Sequence, residues 1–437
     1  MSARETALNA LIACRREGAW SNGILKEYIL RDRLDGREAG LASRLCYGVL
    51  QNRGKLDFYL SQLLTGKLKT LHPAVHDILH LGLYQMYEMD KIPVSAAVNE
   101  SVALAKKYCP KVKSAPALVN AVLRNADRSR DQLKQPETLW DRYSHPQKLI
   151  SLLKAYVGEE RLEMMLQANN AIAPTVIQTN TLKITTDKLK EILVGEGLAA
   201  TPHSWLADCL VLANPGNLEQ LESFQKGYFY VQDAAARLSV LCAQLSEDSK
   251  VLDCCSAPGG KSFAAAISMK DTGKIISCDI HPHKISLIQK GAERLGVSNM
   301  TAQVQDGAVF DPQWEGEMDA VIADVPCSGY GIIRKKPDIR YKDPDTMQEL
   351  PGLQLQILCN VSRYVRPGGT LIYSTCTLVR KENEGVVEKF LKANPNFYPE
   401  KLPLPAVFPE NTTGMLTLVP GEYDTDGFFI CRLRRKV

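Results

Sequence analysis

The chain has 437 residues, 45% of them hydrophobic and 23% charged, with a mean hydropathy of -0.17. That length implies roughly two to four compact units, and the composition excludes disordered and collagen-like chains. No run approaches the roughly 20 apolar residues of a spanning helix, and the opening MSARETALNALIACRREG lacks the apolar centre of a secretory signal, so a cytoplasmic protein without a membrane partner is expected.

The net charge of +4 hides an asymmetry: residues 1–130 carry 20 Lys and Arg against 12 Asp and Glu, and the remainder 33 against 37. A basic segment joined to a near-neutral one suits a polyanion-docking module on an enzyme, although a merely solvated surface gives the same count. The 12 cysteines are scattered over a large chain with no secretory signal, which points to reduced thiols, and they form no CxxC pair, which points to no metal.

In chain order, Ser2 and Glu5 have capping-box spacing ahead of Leu8, Leu11 and Ile12. Leu41, Leu45, Val49 and Leu50, then Leu56, Tyr59, Leu60 and Leu63, then Ile78, Leu79, Leu83 and Met86 recur at helical period. Turn signals at His72-Pro73, Ile92-Pro93 and Cys109-Pro110 cut the stretch into short helices, so residues 1–130 are expected to form an all-α bundle. After a polar connection, residues 140–235 read as a small α/β module. It is helical through Leu149, Leu152, Leu153, Tyr156 and Val157, then runs TVIQTNTL as a strand, DKLKEILVGEG as a helix, and CLVLAN and YFYVQD as strands. Over residues 236–437, the strands VLDCCS, IISCDI, TAQVQD, DAVIADVP, TLIYSTCT and GFFICRL alternate with helical segments. That rhythm defines an α/β, doubly wound, largely parallel sheet whose ligand sits at the C-terminal strand ends.

The strand VLD runs through CSAPGGKS into a helix, so glycines admit a ligand close to the backbone and the helix N-terminus offers free N–H groups. A Walker A loop needs glycine where Cys255 stands, and no GxGxxG occurs, which disfavours nucleoside triphosphates and dinucleotides. Asp253, Asp279, Asp306 and Asp324 end successive strands. One such acid is an ordinary turn former; four in register suit a nucleoside with a cationic tail, its ribose on Asp279, and S-adenosylmethionine fits that description.

Cys327 in DVPCSG and Cys376 in YSTCT fall at adjacent strand ends beside this pocket, whereas Cys242, Cys278 and Cys359 read as small buried hydrophobes. A thiolate next to a methyl donor has a chemical use. Pyrimidine C5 is a poor nucleophile until a thiolate adds to C6; a carboxyl at Asp324 eases that addition through N3, and a base then removes the C5 proton so that the thiolate can leave. The residues alone do not choose between the two cysteines.

DCCSAPGGK, DVPCSGYGIIRKKPDIR and YSTCTLVRKENE resemble the signature segments of the NOL1/NOP2/Sun family of RNA cytosine-C5 methyltransferases. REAGLASRLCYGVLQNRGKLDFYL, VNESVALAKKY and ALVNAVLRN resemble the NusB-like RNA-binding fold. The pairing is typical of bacterial 16S ribosomal RNA methyltransferases acting on cytosine 967. The resemblance implies a NusB-like domain over residues 1–130, a small RRM-like module over 140–235 and a Rossmann-like class I S-adenosylmethionine-dependent methyltransferase domain over 236–437. It implies Cys376 as nucleophile and Cys327 as the thiol that helps release the product, beside the catalytic carboxyl already read at Asp324. Cofactor contacts are implied at Cys255, Ser256, Ala257, Pro258, Gly259, Gly260, Lys261, Asp279, Asp306 and Asp324, with 16S ribosomal RNA as partner of a monomer.

Arg334, Lys335, Lys336 and Arg340 follow the PC motif and are candidate phosphate clamps for RNA presenting a flipped-out cytosine. Asn180, in TNTLK, resembles the start of the family's small RNA-binding module. The competing expectations are a transfer-RNA or other nucleic-acid cytosine methyltransferase, and a NusB-type binding factor with an inert catalytic domain. Intact motifs argue against the second, and only analogy argues against the first.

Overall fold

The computed structural model describes residues 1–17, 19–213 and 215–437, and the chain divides into two units. One comprises residues 1–171 together with 333–342, the other residues 172–332 together with 343–437.

The first unit is helical. Ser2 Oγ accepts from the Glu5 N–H at 3.3 Å, one half of the expected capping box, at the start of helix Ala3–Glu17. The two apolar runs between Leu41 and Leu63 form a single helix, Gly36–Leu63, opened by Asp35, whose side chain accepts from the N–H groups of Arg37 and Glu38. Glycines let neighbours cross this helix closely: a Cβ at Gly48 would lie 1.9 Å from the Tyr84 ring, and one at Gly54 2.8 Å from the Trp140 carbonyl. Helices Pro73–Glu88, Val94–Tyr108 and Ala115–Arg128 bury Ile78, Leu79, Leu83, Val119 and Leu123 against Leu45, Leu56 and Leu60.

The stretch read as a connection belongs to this unit. Helix Leu139–Tyr143 packs at Gly54, and Ser144 Oγ accepts from the Lys55 N–H at 3.1 Å. Helices Gln147–Val157 and Glu159–Asn170 follow within the same unit, whose first segment ends at residue 171. The segment 333–342 completes the unit: Tyr341 donates its hydroxyl to the Leu50 carbonyl at 2.6 Å, and Asp338 accepts from Ser21.

The second unit holds two sheets. Strands β1 (Thr175–Thr179), β2 (Ala199–Pro202), β3 (Cys209–Ala213) and β4 (Phe229–Val231) form an antiparallel sheet in the order β2-β3-β1-β4. Helix Thr186–Gly195 sets Leu189 and Leu193 against Ile177, Leu210, Leu212 and Phe229. Strand β2 escapes the sequence pattern because AATP carries two alanines and a proline, a composition poor in strand formers.

The larger sheet comprises β5 (Lys250–Asp253), β6 (Lys274–Asp279), β7 (Met300–Val304), β8 (Met318–Asp324), β9 (Val365–Thr375), β10 (Phe397–Pro399), β11 (Met415–Leu418) and β12 (Phe428–Arg435). Its order is β10-β12-β9-β8-β5-β6-β7, with β11 paired to β12. The ladders from β7 through β9 are parallel, and β12 runs antiparallel to β9. Alternate residues feed two cores. Val251, Ile275, Ala320 and Ile322 pack with Phe263 and Ile288 from the helices after β5 and β6, while Leu252, Ile276, Val321 and Leu371 pack with Ile357, Leu358, Val387 and Phe390 from the helices flanking β9. The chain moves outward through β6 and β7, then crosses back to β8 beside β5, which makes the β5/β8 boundary the switch point where such sheets bind ligands.

Candidate active site

The loop after β5 is a tight turn. Ser256 donates its N–H and its hydroxyl to the Cys278 carbonyl at 2.8 and 3.0 Å, and Gly259 N–H returns to the Ser256 carbonyl at 2.7 Å. Gly259 has φ of +110°, and a Cβ there would strike the Phe263 ring at 2.4 Å, so only glycine fits the entry to helix Gly260–Ser268. The four acids divide by environment. Asp253 is fully buried and accepts from Ser262 Oγ at 2.7 Å; Asp279 accepts from the His281 N–H at 2.9 Å with Lys284 Nζ at 3.6 Å; Asp306, two residues beyond β7, accepts from the Ala308 N–H.

Lys261 does not stay with the turn. Its ammonium lies 2.6 Å from Asp324 Oδ2, across the switch point, while Asp324 Oδ1 accepts from Ser374 Oγ at 2.8 Å. Burial disfavours the lysine's charge, but the carboxylates of Asp324 and Asp253 and the nearby Cys376 outweigh it and hold its pKa above the usual lysine range.

The two thiols meet. Cys327 Sγ and Cys376 Sγ are 3.3 Å apart, and both side chains are partly accessible. The contact with Cys376, burial, and the charges of Glu382 and Asp324 push the Cys327 thiol well above its ordinary pKa. Gly331 explains part of this convergence: its N–H donates to the Cys376 carbonyl at 2.9 Å, its carbonyl accepts from Gly427 N–H at 2.8 Å, and a Cβ there would lie 2.0 Å from the Gly427 oxygen. Glu382 and Asn383, both buried in the RKENE segment, hydrogen-bond beside the two cysteines. The sequence reading passed over both, because two polar residues in a charged run carry no sign of burial.

The basic run after the PC motif is different from what was expected. Residues 333–342 belong to the helical unit. Arg340 is fully buried, where it donates to the carbonyls of Gln51, Tyr143 and Asn169 at 3.1 to 3.3 Å and to the Asn170 side chain at 2.8 Å; burial lowers its pKa to about 10. It is a packing residue and not a phosphate clamp. Arg334 is also buried, which leaves Lys335 exposed and Lys336 half-buried as the surface cations of the run. Asn180 is buried as well, donating to the carbonyls of Gly227 and Leu295 at 2.9 and 2.8 Å, and so joins the small sheet to the helix Pro282–Leu295. Cys242 and Cys278 are buried in apolar cores, and Cys359 packs at the edge of one. In the helical unit, the Asp57 carboxylate meets His76 Nε2 and His80 Nε2 at 2.6 and 2.8 Å, a polar cluster the sequence reading did not single out.

A seven-strand order with one reversed strand near its edge, a glycine turn at the switch point and acids at the strand ends define a Rossmann-like, S-adenosylmethionine-dependent methyltransferase domain. Residues 240–434 match the family model described as 16S rRNA methyltransferase RsmB/F, residues 1–128 match the NusB family, and residues 145–219 match the ferredoxin-like domain of RsmF/B-like methyltransferases. A Bacillus subtilis protein described as probable ribosomal RNA small subunit methyltransferase B is 36% identical over 100% of this chain and 99% of its own. The Vibrio cholerae ribosomal RNA small subunit methyltransferase B is 34% identical over 92% and 90%. Among solved structures, the chain described as PH0851 superposes with a TM-score of 0.80 at 23% identity, covering 99% of both chains. NSun6 from Pyrococcus horikoshii, crystallised with SFG, superposes with a TM-score of 0.60 at 21% identity, covering 66% of this chain and 98% of its own. These two structures establish the shared fold. The chain belongs to the RsmB family of ribosomal RNA small subunit methyltransferases.

Proposed function

We propose that the protein methylates C5 of a cytosine in 16S ribosomal RNA, cytosine 967 by family analogy, through a covalent adduct on Cys376. The observation that carries this reading is the 3.3 Å approach of two partly accessible thiols at the strand ends next to the Lys261–Asp324 pair. The residues fit the cofactor: a turn closed to any side chain at Gly259, helix N–H groups at Gly260 and Lys261, and a nearly buried Asp279 whose carboxylate suits ribose hydroxyls, with Asp306 beyond β7 toward the base. When bound, S-adenosylmethionine supplies a methyl group open to displacement by a carbon nucleophile.

The chain's own residues do the rest. Cys376 as thiolate adds to C6, and electron density moves to C5. Asp324, oriented by Lys261 and Ser374, accepts from the cytosine N4 amino group and from N3 once N3 takes up a proton, and so favours that addition. After C5 has gained its methyl, a base takes the C5 proton and the C6–S bond breaks, returning the electron pair to Cys376. Cys327, held as a thiol beside it, assists this release. The helical unit, basic over residues 1–130, grips flanking RNA through phosphate contacts.

The test is a pair of substitutions. Cys376→Ala is expected to abolish both methylation and the denaturant-stable RNA adduct, and Cys327→Ala to let the adduct accumulate, as read by gel shift with radiolabelled RNA. Reversed outcomes would exchange the two roles, and no adduct in either the parent or the Cys327→Ala protein would remove the covalent mechanism. Bisulfite mapping of 5-methylcytosine in ribosomal RNA from a deletion strain checks the position.

A further inference from the structure

Resting on the covalent reading above, we propose that Glu382 and Asn383 are positioning residues that form a two-pronged clasp, Glu382 holding the loop of Cys327 and Asn383 the loop of Cys376, and so set the distance between the two sulfurs. Glu382 Oε1 accepts from Ser328 Oγ at 2.6 Å, and Oε2 accepts from the Ser328 N–H and from Gln354 Nε2, each at 2.9 Å. The same Gln354 amide donates to the Pro326 carbonyl at 2.9 Å. Both neighbours of Cys327 are therefore tied to one carboxylate.

Asn383 treats the other thiol in the same way. Its Oδ1 accepts from Thr375 Oγ1 at 2.6 Å, and its Nδ2 donates to the Thr377 carbonyl at 3.0 Å, so both neighbours of Cys376 are tied to one amide. The two halves are cross-linked: Ser328 Oγ lies 2.7 Å from Thr377 Oγ1, and Tyr373 fixes the backbone between the prongs by donating its hydroxyl to the Glu382 carbonyl at 2.5 Å. Glu382 is 3% exposed and Asn383 1%, so water does not compete for these bonds. Buried polar groups need partners anywhere in a protein. Here, however, the partners are the residues flanking the two thiols, which is the arrangement a reacting pair requires.

The readout is thiol proximity, measured without RNA or cofactor. Diamide takes two electrons and two protons from a pair of neighbouring thiols, is reduced to its hydrazine, and leaves a disulfide that mass spectrometry maps. The full-length protein is expected to form the Cys327–Cys376 disulfide rapidly. Glu382→Ala removes the acceptor for Ser328 and Gln354, and Asn383→Asp removes the donor to Thr377; each is expected to slow this disulfide by about tenfold or more, since the rate depends on access of one sulfur to the other. In methylation assays each should lower kcat by about a hundredfold with the KM values for RNA and S-adenosylmethionine retained, the pattern of misplaced reacting groups. Glu388→Gln, on the exposed Arg380 pair, should behave as wild type. Thermal melts check folding, and Asn383→Asp decides if Glu382→Ala does not fold. Oxidation of the folded variants at the parent rate overturns the clasp, whatever becomes of the covalent mechanism; a slowed disulfide supports it even where no RNA adduct is found.

Discussion

Asp253 shows how one buried carboxyl makes the methyltransferase core sensitive to pH. Burial raises its pKa to about 7; the Ser262 hydrogen bond and the Lys261 charge pull down and Asp324 pushes up, without reversing the shift. The folded protein holds this proton up to about pH 7, whereas the unfolded chain releases it near pH 4. Folding therefore takes up a proton between those values, and the group's contribution is complete below about pH 4 and lost as pH rises through about 7. Asp253→Asn, which keeps the shape and stays neutral, should gain stability relative to the parent over that window, by roughly 2–4 kcal/mol at its upper end. Calorimetric melts of both proteins from acid to neutral pH check this, and parallel curves would refute it. Asp253 was one of four acids grouped by position in the sequence. Its neighbours set it apart, since Ser262 and Ser277 stack hydroxyls beneath it while Asp279 and Asp324 keep some access to solvent.

At the scale of elements, the candidate active site is a crossing of two loops that glycine alone permits. Gly331→Ala would press a methyl carbon to 2.0 Å from the Gly427 carbonyl oxygen and 2.8 Å from that of Cys376. The Cys376 loop must shift, and turnover is expected to fall by about a hundredfold. The turn after β5 is untouched, so calorimetry should find S-adenosylmethionine affinity unchanged. Gly259→Ala should do the reverse, weakening the cofactor while the 327–376 disulfide still forms. The meeting of Cys327 with Cys376 was legible in the sequence because parallel strands deliver their C-terminal ends to one edge, so adjacent strands bring their following residues together. The clasp was not legible: Glu382 and Asn383 lie in a segment of Arg, Lys and Glu that reads as a solvated face, and only the fold shows them inside. Strands β10 and β11 were missed for a similar reason. They are short, proline or loop residues surround them, and their pairing with β12 rather than any local pattern makes them strands.

For the whole molecule, the misreading of Arg340 is the most instructive. A cation in a basic run beside the DVPCSG segment invites a phosphate, yet five donors in a fixed plane also suit a cluster of backbone carbonyls inside a helical bundle. Arg340→Ala would remove the guanidinium shared by the carbonyls of Gln51, Tyr143 and Asn169 and by the Asn170 side chain, and is expected to cost about 2–4 kcal/mol, seen as a lower urea midpoint for the helical unit. Arg340→Lys should recover little of it, because an ammonium cannot reach the same acceptors together. The helical unit also reaches residue 171, so deleting residues 1–130 takes away Gly54, Lys55 and Gln51, against which Trp140, Ser144 and Arg340 are set. Charge-neutralising substitutions at exposed lysines are the sounder probe of RNA affinity and its salt dependence.

The excursion of residues 333–342 into the N-terminal unit has a consequence for synthesis. A growing polypeptide emerges from the ribosome in order, so the first 171 residues leave long before the guanidinium that fills their interior. The helical unit is thus born incomplete and waits for a plug made some 160 residues later, after the small sheet and the first four strands of the large one have been translated. Maturation of the amino-terminal unit is thereby tied to the arrival of the segment that follows the DVPCSG turn.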